Sequence, residues 1–355
     1  MLHCSVSILT NKKTMGQKKI LKEKVREAFK QKRRLAAPLV GFPGLQITGS
    51  SIKLAQQNYI EHVKVINEIV KRFQPDAVFP LMDLAVEANA IGLNTQFPID
   101  DSATVIPEEL SIEQLEKLSD LDITADARVV CYVETIKRMA DNLPQSILKG
   151  SYVAGPYTLA ALILGAENAA MATITNPDKL NAVCEFSRNI ILQYVKSLIN
   201  AGAQLICVLE PSAAMLGPDE FSKFSANHVS NIVEYCNANE TDTIYHICGN
   251  TTHLVEIMKN TGVDALSLDS KEVGVNLKEI AEITNDEVVL IGNINPTGKI
   301  LSGTPDEIRI ETSELLKEMN NYENFILSTG CDLPQEVPLE NIDAFVSTGR
   351  KFRID

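Results

Sequence analysis

The sequence predicts an α/β chain folded as a (β/α)8 TIM barrel with an N-terminal helical extension. Two observations lead there. Seven short runs rich in β-branched and aromatic residues, near 76–82, 147–153, 204–209, 242–248, 265–268, 288–291 and 325–328, alternate with segments of helical apolar spacing. Short connections join them, and strand–helix units repeated about seven times build a parallel sheet that closes on itself. At 355 residues, 45% of them hydrophobic, the chain is long enough to form such a barrel as one domain.

Taken in order, residues 1–14 lack the charged start and long apolar centre of a signal peptide, so they are expected to be a disordered tail, with Met15 as an alternative start. Residues 15–51 form an N-terminal helix and loop. Within 18–34, Ile20, Leu21, Val25 and Phe29 share one face, which predicts an amphipathic helix packed on the barrel; docking on an acidic partner or a membrane surface is the alternative. Pro, Gly and small residues mark 34–51 as a loop. The barrel catalytic domain then occupies 52–355. It opens with a helix over 52–73 and a strand over 76–82, after which Asp83 and Glu87 read as an N-cap and a first-turn acid. Residues 107–123 read as an acidic surface segment and 125–142 as a helix. Pro156 starts a helix after Gly155, 176–200 is a long helix, and Gly217-Pro218 opens another to about 237.

Charge and composition exclude several classes. The formal net charge is −13, with eleven Lys and Arg against two Glu between Asn11 and Arg34, so the remainder carries about −22. That balance disfavours nucleic acid as a partner. No apolar run reaches the length of a membrane span. Seven Cys without a secretory signal point to a reducing, cytoplasmic setting, where thiols serve as ligands or core residues.

The chemistry concentrates at His246-Ile247-Cys248 and Gly330-Cys331. His246 and Cys248 lie two apart at the end of a strand and so share a face. Cys331 ends another strand in the same way. One imidazole and two thiolates are a three-ligand set for Zn²⁺, with the fourth position left for water or substrate. Asp269 and Glu210 end neighbouring strands and fall at the same rim, as a fourth ligand or as groups orienting a ligand. The other candidates fit less well. His62, His228 and His253 fall on helices and His3 in the tail, where surface or capping roles are expected. Cys131, Cys184 and Cys236 lie in helices and Cys207 in a strand, where structural thiols are the default, and Cys4 lies in the tail.

These residues, with Gly292-Asn-Ile-Asn-Pro296 and 337–341, resemble the uroporphyrinogen decarboxylase superfamily. More closely, they resemble its zinc-dependent branch, the methylcobalamin:coenzyme M methyltransferases. The likeness extends to 80–88, 155–160 and 216–221 and spans roughly 75–350. It implies Zn²⁺ as cofactor, methylcobalamin or another methylated corrinoid as co-substrate, a separate corrinoid protein as partner, and a small thiol acceptor such as coenzyme M. It also places Asp83 at the border of the active-site cleft. Asp83, Glu210 and Asp269 are therefore the candidate catalytic residues, and His246, Cys248 and Cys331 the candidate metal ligands. The chain lacks an Asp-x-His-x-x-Gly cobalamin signature, and it carries Glu210-Pro211 where the coenzyme M enzymes usually have Asp-Pro. Homocysteine would use the same zinc chemistry, whereas tetrahydrofolate fits less naturally. Two alternatives remain open: a uroporphyrinogen decarboxylase-type enzyme, and a non-catalytic corrinoid- or zinc-binding barrel.

Overall fold

The computed structural model describes residues 19–106 and 110–355, so the tail expected over 1–14 lies outside the described residues. Eight parallel strands form one sheet: β1 (Leu35–Ala36), β2 (Ala77–Val78), β3 (Leu148–Ala154), β4 (Leu205–Leu209), β5 (Asp242–Ile247), β6 (Ala265–Leu268), β7 (Val289–Ile294) and β8 (Phe325–Thr329). Their hydrogen-bonded order is β1-β8-β7-β6-β5-β4-β3-β2. Between β1 and β2 a side chain completes the ring. Asp76 donates its N–H to the Ala36 carbonyl at 2.9 Å, and its Oδ2 accepts the Ala36 N–H at 2.8 Å. The result is the nearly closed (β/α)8 barrel that the alternation predicts.

Each strand alternates between two cores. Leu205, Cys207, Ile244, Ala265, Val289, Ile291 and Ile326 fill the barrel interior, while Val208, Tyr245, Leu266, Leu268, Leu290 and Leu327 pack outward against the helices. The N-terminal helix α1 (Ile20–Lys30) closes the floor. Leu21 and Val25 join the interior cluster, and the Leu21 N–H donates to Asp242 Oδ2 at the start of β5. Several of its basic residues have partners on the barrel: Lys19 with Asp264, Arg26 with Glu323, Lys22 on the Asp286 carbonyl.

The structure departs from the expectations in several places. The segment expected as a loop over 34–51 contains β1, which is two residues long and too short to show a periodic pattern. The helix expected over 52–73 is two helices, Ile52–Gln57 and Tyr59–Phe73, because Asn58 leaves helical geometry and accepts the N–H groups of Ile60 and Glu61. The helix expected to run to 237 is interrupted by a π turn, Ser222–Ala226, before Asn227–Ala238. His62 and His228 are buried, not on the surface. His62 Nε2 accepts the Leu81 N–H at 2.9 Å, and burial lowers its pKa to about 3. Among the described residues no single helix is long and apolar enough to cross a membrane.

Candidate metal centre

His246 points into the barrel from the C-terminal end of β5, paired in register with Leu209 of β4 and Ser267 of β6. Cys248 follows one residue after β5, and Cys331 two residues after β8. Gly330 makes the approach of β8 possible: a Cβ there would stand 2.8 Å from the Ser270 nitrogen and 3.1 Å from Asp269.

The three side chains converge. His246 Nε2 lies 3.2 Å from Cys248 Sγ and 3.6 Å from Cys331 Sγ, and the two sulfurs are 3.0 Å apart. Among the described residues they form the one group of His, Cys, Asp or Glu whose ligand atoms could hold a metal ion, all within 4.8 Å of one another. The far side of the imidazole sets the tautomer. Nδ1 faces the Ser267 carbonyl at 3.2 Å and the Ser267 hydroxyl at 3.0 Å. A carbonyl can only accept, so Nδ1 carries the proton and the Nε2 lone pair faces the sulfurs. A nitrogen lone pair with two thiols is the donor chemistry of a zinc site, and three protein donors leave one position open.

Burial disfavours a charged His246, yet Cys331, Asp269 and the Ser267 carbonyl outweigh it and raise its pKa. Hydrogen bonding with Cys248 and burial raise the Cys331 thiol, against the opposing effect of His246.

The predicted carboxylates take different places, and none joins the cluster of three. Asp269 borders it: Oδ2 accepts the Gly249 N–H at 2.7 Å, just after Cys248, and Oδ1 accepts the Ser270 N–H at 2.6 Å. Glu210 is fully buried at the start of the helix Pro156–Leu164. It accepts the N–H groups of Tyr157 and Thr158 and the hydroxyl of Ser225, which the π turn presents. Gly155 leaves room for it, since a Cβ there would overlap the Glu210 carboxylate at 2.2 Å. Burial pushes its pKa up to about 7. Asp83 is buried against Arg128, accepts the Tyr132 hydroxyl at 3.0 Å, and accepts the Ala85 N–H at 2.9 Å. The N-cap expectation for Asp83 fails: Ala85 is the N-cap of the helix Val86–Ala90 and Asp83 lies two residues before it, while its Arg128 partner, 45 residues away, left no sequence signal.

Two further residues were missed. Ser267 holds His246, and nothing in a lone strand serine signals that. Asp332, beside Cys331, accepts the Leu333 N–H through Oδ1 at 3.1 Å, and burial raises its pKa to about 7 against the backbone N–H groups that face it. Its adjacency to Cys331 was the available clue.

With this geometry in place, comparison with known proteins decides the family. The family model for uroporphyrinogen decarboxylase (URO-D) matches residues 45–352. The chain belongs to the URO-D family. Among its relatives, the methylcobamide:CoM methyltransferase MtbA of Methanosarcina acetivorans is 26% identical over 284 residues, covering 78% of this chain and 80% of that protein. A uroporphyrinogen decarboxylase of Prochlorococcus marinus is 25% identical over 288 residues, covering 79% and 80%. A solved methyltransferase from Methanosarcina mazei superposes with a TM-score of 0.83 at 21% identity, covering 94% of this chain and 98% of that one, which shows the shared fold. Methyltransferases and decarboxylases are therefore both represented among the relatives.

Proposed function

We propose that this URO-D family member is a zinc-dependent methyltransferase that moves a methyl group from a methylated corrinoid, free or carried by a separate protein, to a small thiol. The observation that carries this reading is the convergence of His246 Nε2 and the sulfurs of Cys248 and Cys331 at the mouth of the barrel. The methyltransferase names among the relatives support it. A bound zinc would lower the pKa of an acceptor thiol, ordinarily about 8.5, so that the thiol is presented as its thiolate at neutral pH.

The chain's own residues supply the rest. His246, its Nδ1–H held by Ser267, keeps its lone pair toward the metal position. Asp269 fixes the backbone after Cys248 and adds negative charge beside the imidazole. Placement at strand ends keeps the ligands on a rigid frame, so little reorganisation accompanies the reaction. In the transfer the thiol sulfur forms a bond to the methyl carbon. With a methylated corrinoid as donor, the cobalt–carbon bond would break with its electron pair left on the corrinoid, the thioether would be released, and the thiol proton, lost when the thiolate forms, would pass to solvent. Glu210 and Asp83 act in this account as buried braces of the cleft.

The decarboxylase relatives favour a second reading, in which cationic side chains bind the carboxylates of a porphyrinogen. The Lys32-Arg33-Arg34 cluster fits that task poorly. Arg34 donates to the carbonyls of Met319, Asn320 and Tyr322, and Arg33 pairs with Asp76. Zinc analysis with an assay of methylcobalamin demethylation by thiols separates the two readings. Stoichiometric zinc with thiol-dependent turnover supports the methyltransferase; uroporphyrinogen decarboxylation by zinc-free protein supports the other.

A further inference from the structure

The interior layer of the barrel carries the apolar side chains Leu205, Cys207, Ile244, Ala265, Val289, Ile291 and Ile326, with two buried serines, Ser267 of β6 and Ser328 of β8, among them; Ser328 donates to the Ala37 carbonyl at 2.7 Å. Ser267, which is 3% exposed, follows Ala265 on the inward face of β6 and brings its hydroxyl into this layer beside His246. An alanine or valine would continue the layer, whereas a buried hydroxyl costs stability unless it is hydrogen-bonded. This hydroxyl meets His246 Nδ1 at 3.0 Å. The same nitrogen also meets the Ser267 carbonyl, so one residue offers two acceptors to a single N–H. One acceptor leaves a ring free to tilt about its hydrogen bond; two acceptors from one rigid strand fix its plane.

We propose that Ser267 is the positioning residue of the metal centre, its hydroxyl fixing the plane of His246 so that Nε2 is aimed at the metal position between Cys248 and Cys331. The inference rests on the zinc reading of the cluster. Its consequence is specific: loss of the hydroxyl weakens metal binding by about ten- to a hundred-fold, the range for groups that orient a metal-ligating histidine. The backbone carbonyl remains and preserves the tautomer, so binding is weakened but not abolished.

The test compares Ser267→Thr with Ser267→Val. The two side chains have nearly the same shape, and a void of about 20 Å³ beside Ser267 gives both the same room, so any strain from the added methyl group cancels in the comparison. Zinc affinity is measured by competition with a chromophoric chelator, and the cobalt-substituted proteins are examined by absorption spectroscopy. The expected result is near-wild-type zinc affinity and an unchanged cobalt spectrum for the Thr variant. The Val variant should bind about ten-fold or more weakly with a shifted cobalt ligand-field spectrum, the zinc-free forms of both unfolding at the same temperature. Equal zinc affinity in the two variants would overturn the role of Ser267. Absence of zinc and cobalt binding by the wild-type protein would instead overturn the zinc reading beneath it. If the Val variant does not fold, Ser267→Ala against wild type reads the same difference.

Discussion

The sulfurs of Cys248 and Cys331 lie 3.0 Å apart although 83 residues separate them in the chain. Neither belongs to a strand; each sits just beyond one. Cys248→Ser or Cys331→Ser should therefore leave the barrel folded and remove its metal. The expected outcome is far-UV circular dichroism like that of the zinc-free wild type, with zinc falling from about one per chain to near zero. Full zinc content in either variant would exclude that cysteine as a ligand.

Asp83 should prove structural. Removing its carboxylate in Asp83→Ala leaves the Arg128 guanidinium buried without its partner, which costs about 3–5 kcal/mol. Thermal unfolding should shift accordingly while zinc content stays at the wild-type level. Unchanged stability combined with lost turnover would restore a catalytic role to Asp83.

Much of this fold could be read from the sequence, because β3 to β8 are buried runs of four to seven residues bounded by turn residues. β1 and the break at Asn58 could not, since both depend on partners distant in the chain or on a single capping side chain. The convergence of His246, Cys248 and Cys331, the three candidate ligands, was legible because strand alternation and the Gly-Cys strand end place them at one rim. The division of labour among the acids was not. Whether Glu210 faces the metal or a helix N-terminus depends on the space left by Gly155, and that Ser267 orients His246 depends on register between β5 and β6.

Burial also predicts a pH dependence. Glu87 is fully buried, with Oε1 accepting the Ala154 N–H at 2.9 Å and Oε2 without a partner, and burial raises its pKa from 4.5 to about 7. The folded state therefore holds a proton that the unfolded state has released. The stability contribution of Glu87 is fully present below pH 4.5 and is lost as pH rises through about 7. Glu87→Gln, neutral at every pH, should gain stability relative to wild type between pH 5 and 8, on the order of 3 kcal/mol at most. Denaturant titrations at both pH values check this; a constant difference would contradict it.

Asp269 should tune the centre without forming it. Asp269→Ala removes the acceptor of both the Gly249 and Ser270 N–H groups and should weaken zinc affinity by about ten-fold or more, whereas Asp269→Asn, whose one amide oxygen can still accept from Gly249, should lose less. Chelator competition measures both. Equal loss in the two variants would indicate that the negative charge, not the hydrogen bond, is what matters.

The most direct test of the account is zinc content and cob(I)alamin formation from methylcobalamin on one reduced sample, with coenzyme M, homocysteine and tetrahydrofolate offered separately. The account predicts about one zinc per chain and thiol-dependent Co(I) formation that disappears in Cys248→Ser. Freshly prepared reduced protein that contains no zinc, or that demethylates methylcobalamin equally well without Cys248, would contradict it.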